Sequence, residues 1–254
     1  MKFSRAIVRK PGRSIINAIS TSNLGQPVYD NALIQHDRYI EVLTRCGLDV
    51  LVLDPDEEHP DSVFIEDPAV VIPGCAIITR PGAASRLNET KDITEQLSLI
   101  FKNIEYIESP GTIEGGDVLR VNDHFYIGIS ARTNLEGAEQ MTLIFEKYGY
   151  TASSIPLKEF LHLKTGVSFL NDDLLLVAGE LSDCKYFERF RKLTVPCNEI
   201  YAANCLNING TVLFPSGYPT TLDMIKGFGF DIIELDMSEF RKADGGLSCL
   251  SLRF

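Results

Sequence analysis

The chain has 254 residues, of which 44% are hydrophobic and 23% charged, so it can bury a sizeable core and is not a disordered sequence. Its formal net charge of −11 argues against nucleic acid or an anionic membrane surface as the main partner, since both recruit a basic face. That charge suits a cationic small molecule, and it equally suits plain solubility.

No apolar run reaches the roughly 18 residues that cross a membrane. The opening stretch MKFSRAIVRKPGRS carries charge where a signal peptide needs an apolar core. Six scattered cysteines (Cys46, Cys75, Cys184, Cys197, Cys205, Cys249) include no CxxC pair and read as free thiols in a reducing compartment. The expected location is the cytoplasm.

In chain order, the sequence repeats one pattern five times: strand, turn, strand, amphipathic helix, strand. The first copy opens with FSRAIVRK, continues with the helical ALIQHDRYIEVLTRCG and closes with DVLVLD. The second runs AVVIPGCAIITR, then the helix DITEQLSLIF, then IEYIE. The third opens with VLRVNDHFYIGIS, whose Asn122–Asp123 step favours a turn. Its helix TNLEGAEQMTLIFEKYG sets Met141, Ile144, Phe145 and Tyr148 on one face and ends at Gly149, before the strand SSIPL. The fourth reads VSFLNDDLLLVAG, a helical stretch around DCKYFERF, and LTVP. The fifth reads LNINGTVLFPSG, TTLDMIKGFG and DIIEL. Five such ββαβ units predict one α/β domain over 1–254: a closed, pseudo-fivefold five-bladed α/β propeller with strand ends gathered at its centre.

Polar residues recur at one phase of this repeat. Glu66 to Glu114 and Glu114 to His162 are each 48 residues; His162 to Cys205 is 43 and Cys205 to Cys249 is 44. Equivalent points of a closed ring face its axis, so Glu66, Glu114, His162 and Cys249 are expected to converge. His36, His59 and His124 lack the phase and read as surface residues.

A cysteine, a histidine and several carboxylates at one centre match no common zinc ligand set, and no short ligand pair is present. A Cys–His nucleophile pair fits better. Carboxylates beside a thiol raise its pKa and oppose the thiolate, unless the substrate is itself a cation. A guanidinium is planar, binds carboxylates bidentately and offers an electrophilic carbon. The set therefore points to attack on a guanidinium carbon, with His162 protonating the departing amine.

TIEGGDVL, FLHLKTG and the terminal GGLSCLSLRF resemble the guanidine-modifying enzymes, whose fold is the five-bladed α/β propeller called the pentein fold. DSVFIEDP, TRPGAASR, DHFYIGISARTN and RKADGGLSC bring the chain closest to the dimethylarginine dimethylaminohydrolase family of short bacterial type, along its whole length. The resemblance implies Cys249 as nucleophile, His162 as general acid and base, and Glu114 as the carboxylate that holds the substrate and supports the histidine. It implies Asp61, Glu66 and Asp67 as guanidinium contacts, and Arg86 and Arg132 as the grip on the substrate's α-carboxylate. Ile19, in the Ser/Asn/Gly-rich NAISTSNLG, falls in the family's lid, and Ala243 matches a backbone contact to substrate. The implied reaction converts asymmetric dimethyl- or monomethylarginine to citrulline and an alkylamine, with no metal or organic cofactor. Dimers are common among such enzymes, so the resemblance allows a homodimer, although no patch in the sequence points to one.

Arginine deiminases carry an extra helical domain for which 254 residues leave no room. Amidinotransferases are longer, and agmatine deiminase needs no carboxylate grip. A hydrolase acting on arginine or citrulline is the harder alternative. A non-catalytic propeller protein such as the ribosome anti-association factor predicts loss of Cys249, His162 and Glu114, all of which are present.

Overall fold

The computed structural model describes residues 2–254. Alternating apolar runs set out five three-stranded sheets, each with one antiparallel and one parallel pairing. Each antiparallel pair is a hairpin closed by a residue in the left-handed region where one is contiguous: Gly74 (φ 80°), Asn122 (57°), Asp172 (38°) and Asn209 (54°). Gly, Asn and Asp are the residues that enter this region at least cost.

The first sheet departs from the expected order. Strand Arg5–Arg9 pairs in parallel with Asp49–Leu53 across helix α1 (Tyr29–Arg45), but its antiparallel partner is Leu252–Arg253, from the other end of the chain. The C-terminal residues thereby complete the N-terminal copy. The second and third sheets carry α2 (Thr90–Ser98) and α3 (Leu135–Lys147) before their parallel strands. Asn134 starts α3 by accepting the Gly137 amide (2.8 Å), with Glu136 in the first turn and Lys147 in the last, as the helix dipole favours.

A one-turn helix, α4 (Leu163–Gly166), follows His162. The helix expected around DCKYFERF is absent. Two 3₁₀ turns, Gly179–Leu181 and Lys185–Phe187, bridge the strands instead. Leu181 and Phe187 are buried there six positions apart, a spacing that gives no helical stripe. In the fifth copy α5 (Pro219–Lys226) begins at a proline, and Glu199 caps it from another segment by accepting the Thr220 and Thr221 amides (3.1 and 2.7 Å). The short α6 (Ser238–Lys242) precedes the C-terminal turn.

The residues group into two compact units, one formed by the residues up to Ile65 together with Gly166–Phe254, the other by Glu66–Thr165. The first has a core of Val8, Tyr39, Leu43, Phe64, Phe240 and Leu250, among others. Tyr39 ties α1 to the chain end, with its hydroxyl donating to the Leu247 carbonyl (3.0 Å) and lying 2.6 Å from Ser251 Oγ. His36 lies in this interior, tilted against Phe240, and not at the surface where its lack of phase put it. Burial, then the charge of Lys10, lowers its pKa to about 4, so it is neutral. The second unit packs Ile77, Phe125, Ile127, Met141 and Phe145 together, with the Phe125 and Phe145 rings stacked at 3.8 Å. Burying each such ring contributes about 1.5–3 kcal/mol. Among the described residues, no helix is long and apolar enough to cross a membrane.

Candidate active site

The Glu66–Thr165 unit gathers six of the expected residues. Glu114 lies just before the first strand of the third sheet, Val118–Val121, and His162 just after its last, Thr151–Pro156. His162 Nε2 lies 2.7 Å from Glu114 Oε2. The other oxygen of Glu114 accepts the Gly82 and Ala83 amides and the Arg132 guanidinium at 3.1, 3.3 and 3.3 Å. Asp67 accepts the Gly116 amide (2.9 Å) on one oxygen and Arg86 (2.5 Å) on the other. Arg86, only 4% exposed, also donates to both oxygens of Glu89 at 2.8–3.0 Å. Glu66 is held by Lys164 at 2.6 Å.

Gly116 leaves room for the imidazole: a Cβ there would fall 2.6 Å from His162 Nδ1 and 3.0 Å from Asp67 Oδ1. The EGGD run is thus a close-approach surface against which the histidine lies flat.

The electrostatics follow from burial and partners. Burial by itself disfavours charge on His162, but Asp67, the hydrogen bond to Glu114 and the charges of Asp117 and Glu114 outweigh it and raise its pKa to about 9. The imidazole is therefore an imidazolium at neutral pH. Burial would raise Asp67, yet His162 and Arg86 hold it down at about 2. Burial also works against ionising Glu114, and the hydrogen bond from His162 reverses this to leave its pKa lowered. For Asp117 burial wins and its pKa is raised, despite hydrogen bonds from Ser130 (2.7 Å), Thr133 (2.6 Å) and the Leu163 amide (2.9 Å).

Ligand atoms of Asp67, Glu114 and His162 all lie within 4.8 Å of one another, close enough for a metal ion. Their geometry fits a proton network better, because Arg86 and the Gly116 amide already occupy Asp67 and the imidazolium occupies Glu114.

The other unit holds Cys249, Ala243, Asp61 and Ile19. Cys249 sits in a tight turn, its amide donating to the Gly246 carbonyl (3.2 Å) while the Gly246 amide points at Sγ (3.4 Å). Asn204 clasps this turn from both sides, accepting the Ser248 amide (2.9 Å) and donating to Ser248 Oγ (3.0 Å). A Cβ on Gly246 would meet the Asn204 amide carbon at 2.6 Å. Tyr201 donates to the Gly245 carbonyl (2.8 Å), and burial followed by the charge of Cys249 pushes its phenol well up. Cys249 is half-buried, whereas Cys205, at the same phase of the repeat, is buried with its thiol pushed up to about 12. Such a thiol is inert. Asp61 accepts the Ile19 amide on both oxygens (3.1 and 3.3 Å), and Ala243 caps α6.

The family described as N,N dimethylarginine dimethylhydrolase, eukaryotic, matches residues 11–188. The N(G),N(G)-dimethylarginine dimethylaminohydrolase of Pseudomonas aeruginosa is 49% identical over 253 residues, covering 99% of this chain and 100% of that one. The chain belongs to the dimethylarginine dimethylaminohydrolase family. A solved structure of the Pseudomonas aeruginosa enzyme, its C249S mutant complexed with citrulline, superposes with a TM-score of 0.99 over 100% of both chains at 49% identity. A second, an H162G adduct of a dimethylarginine dimethylaminohydrolase with S-methyl-L-thiocitrulline, gives 0.97 over 99% of this chain and 100% of that one, at 49% identity. The fold class is accordingly the pentein fold of α/β units.

Several structural partners have no role assigned from the sequence. Asp117 lies three residues after the phased Glu114 and Asn204 directly before the phased Cys205, and that proximity was the available signal. Glu89 and Lys164 gave none, because pairing with Arg86 and Glu66 depends on how the backbone turns between them.

Proposed function

We propose that Cys249, His162 and Glu114 carry the hydrolysis of methylated arginine that is the reaction of this family. The thiolate of Cys249 attacks the guanidinium carbon. His162 gives its proton to the departing alkylamine, leaving an amidino group on sulfur. Water then adds to that carbon with His162 as base, the C–S bond breaks, and citrulline leaves as the thiolate returns. Glu114 holds His162 in its charged form and orients it. The observation that carries this reading is the buried pair of His162 and Glu114 at 2.7 Å, whose carboxylate neighbours favour the protonated imidazole and raise its pKa to about 9.

In the same reading Glu66 and Asp67 receive the substrate's guanidinium, Glu66 exchanging part of its contact with Lys164. Arg132 and Arg86 take the α-carboxylate. Arg86 already serves Asp67 and Glu89, so Arg132 bears the larger share. Ile19 contacts substrate as part of the lid and Ala243 through its backbone, and Asp61 joins Glu66 and Asp67 as a guanidinium contact while also holding the Ile19 amide. The whole chain works as one catalytic domain, in the cytoplasm.

Citrulline release from asymmetric dimethylarginine, monomethylarginine, arginine and agmatine tests the proposal. Methylated arginines should be turned over best, and Cys249→Ser should lose turnover while keeping its circular dichroism and Tm. Full activity in that variant would refute the nucleophile, and a strong preference for plain arginine would refute the substrate.

A further inference from the structure

Apart from Pro27, which is buried, the segment from Ile19 to Val28 has no buried residue to hold it in place. Ser20, Thr21, Asn23, Leu24, Gly25 and Gln26 are all exposed. What fixes it is a series of hydrogen bonds to acceptors elsewhere in the same unit. Asp61 takes the Ile19 amide at one end, and Glu239 takes the Val28 amide (2.7 Å) at the other. Between them, Asp244 alone takes three donors: the Thr21 amide (2.5 Å), the Thr21 hydroxyl (2.9 Å) and the Ser22 amide (3.1 Å). The Lys242 carbonyl adds the hydroxyls of Ser20 (2.6 Å) and Ser22 (2.8 Å).

Asp244 is placed for this by an unusual backbone. Its φ of 57° is left-handed, where the chain leaves α6, and its amide donates to the Arg241 carbonyl (3.2 Å). Aspartate tolerates that region better than most side chains. The residues after it, Gly245 and Gly246, run straight into the turn whose amide points at Cys249 Sγ. Ala243, the proposed backbone contact to substrate, lies between the two residues that hold the strap.

We propose that Asp244 is a positioning residue: its carboxylate latches the 19–28 strap down for turnover and ties the strap's position to the segment that leads to Cys249. This rests on the assigned reaction, in which Ile19 and Ala243 contact substrate. Asp244 itself touches neither substrate nor sulfur. An anionic acceptor is required because all three partners donate. An amide in its place keeps one oxygen but turns an N–H group toward a donor.

Asp244→Asn keeps the left-handed backbone and removes only the latch. In hydrogen exchange followed by mass spectrometry without substrate, the peptide covering residues 20–24 should exchange faster than in the parent protein. KM for a methylated arginine should rise about tenfold or more, the size expected when hydrogen bonds to a charged group are lost, with kcat falling less. Ser20→Ala/Ser22→Ala, which weakens the strap from the Lys242 side, should move both readouts in the same direction by less. Combined with Asp244→Asn it should add little, because a strap already released has no more to lose. Unchanged exchange in Asp244→Asn overturns the latch, and faster exchange with an unchanged KM overturns its part in turnover. If the parent protein turns over no methylated arginine, the assigned reaction fails while the exchange measurement still decides whether Asp244 holds the strap.

Discussion

The cluster around His162 and the turn around Cys249 solve opposite problems. The first is built of charges: Asp67, Arg86, Glu89, Glu114 and His162 are all buried, and each is met by an opposite charge or several donors. An unmatched charge there would cost several kcal/mol, so the cluster is saturated and stiff. The second is built chiefly of neutral groups, the amides of Gly246 and Ser248, the Asn204 carboxamide and the Tyr201 hydroxyl, joined by the charged Arg253. The half-buried sulfur there faces the Gly246 amide, Arg253 donates to the Ser248 carbonyl of the same turn (3.0 Å), and the neighbouring strap hangs on exposed or half-buried hydrogen bonds. The residues proposed to handle the proton thus sit in a web of buried charge pairs, and the proposed nucleophile in a turn held mainly by single hydrogen bonds.

Removing a charge from the first cluster should break this contrast most severely. Glu114→Gln takes away the anionic partner of His162, so kcat should fall roughly 10²- to 10⁴-fold, and an NMR titration should show the imidazole pKa dropping from about 9. A preserved kcat would mean that the imidazolium is not the working acid.

A paired substitution sharpens the comparison, since both regions lay a polar side chain against a glycine. Gly116→Ala would push a methyl to 2.6 Å from His162 Nδ1, and Gly246→Ala one to 2.6 Å from the Asn204 amide carbon. In the stiff cluster the displaced imidazole should cost about 100-fold in kcat. In the neutral turn the overpacking should appear chiefly as about 1–3 kcal/mol of lost stability in urea unfolding. Equal losses of kcat in the two variants would remove the distinction.

Asn204→Ala should be milder. It strips the acceptor from the buried Ser248 amide, which costs about 1–3 kcal/mol, and should leave the pH profile of kcat/KM unmoved because no charge changes. A shifted profile would show Asn204 acting on protonation and not only on the shape of the turn.

The smallest effect concerns pH. The folded pKa of His162, about 9, lies above the ordinary histidine value, so its contribution to stability is complete below about pH 6.5 and is lost as pH rises towards 9. Tm should decline across that window, and Glu114→Gln should flatten the decline. An unchanged slope in the variant would assign the loss to other groups.

Local patterning carried most of the fold. The Asn122–Asp123 turn and the buried face of α3 were legible because each depends on neighbours a few residues apart, and the closing strand Thr151–Pro156 because its own composition is strand-like. The strand Leu252–Arg253 was not, since nothing local tells a chain end that its partner is Arg5–Arg9. DCKYFERF failed for the opposite reason: its composition permits a helix, but burial of Leu181 and Phe187 was satisfied by short turns.

The sequence by itself determined the chemical inventory of this protein and its phase: two glutamates, one histidine and two cysteines at a repeat of 43–48 residues. Only the tertiary structure decided what each group is paired with. Asp61 accepts the strap's amide, Arg86 is wrapped by Asp67 and Glu89, and His162 is charged because three carboxylates surround it at depth. Residue type and spacing are properties of the chain, but a Coulomb energy depends on distance and on the water excluded between charges, and both exist only once the chain has folded.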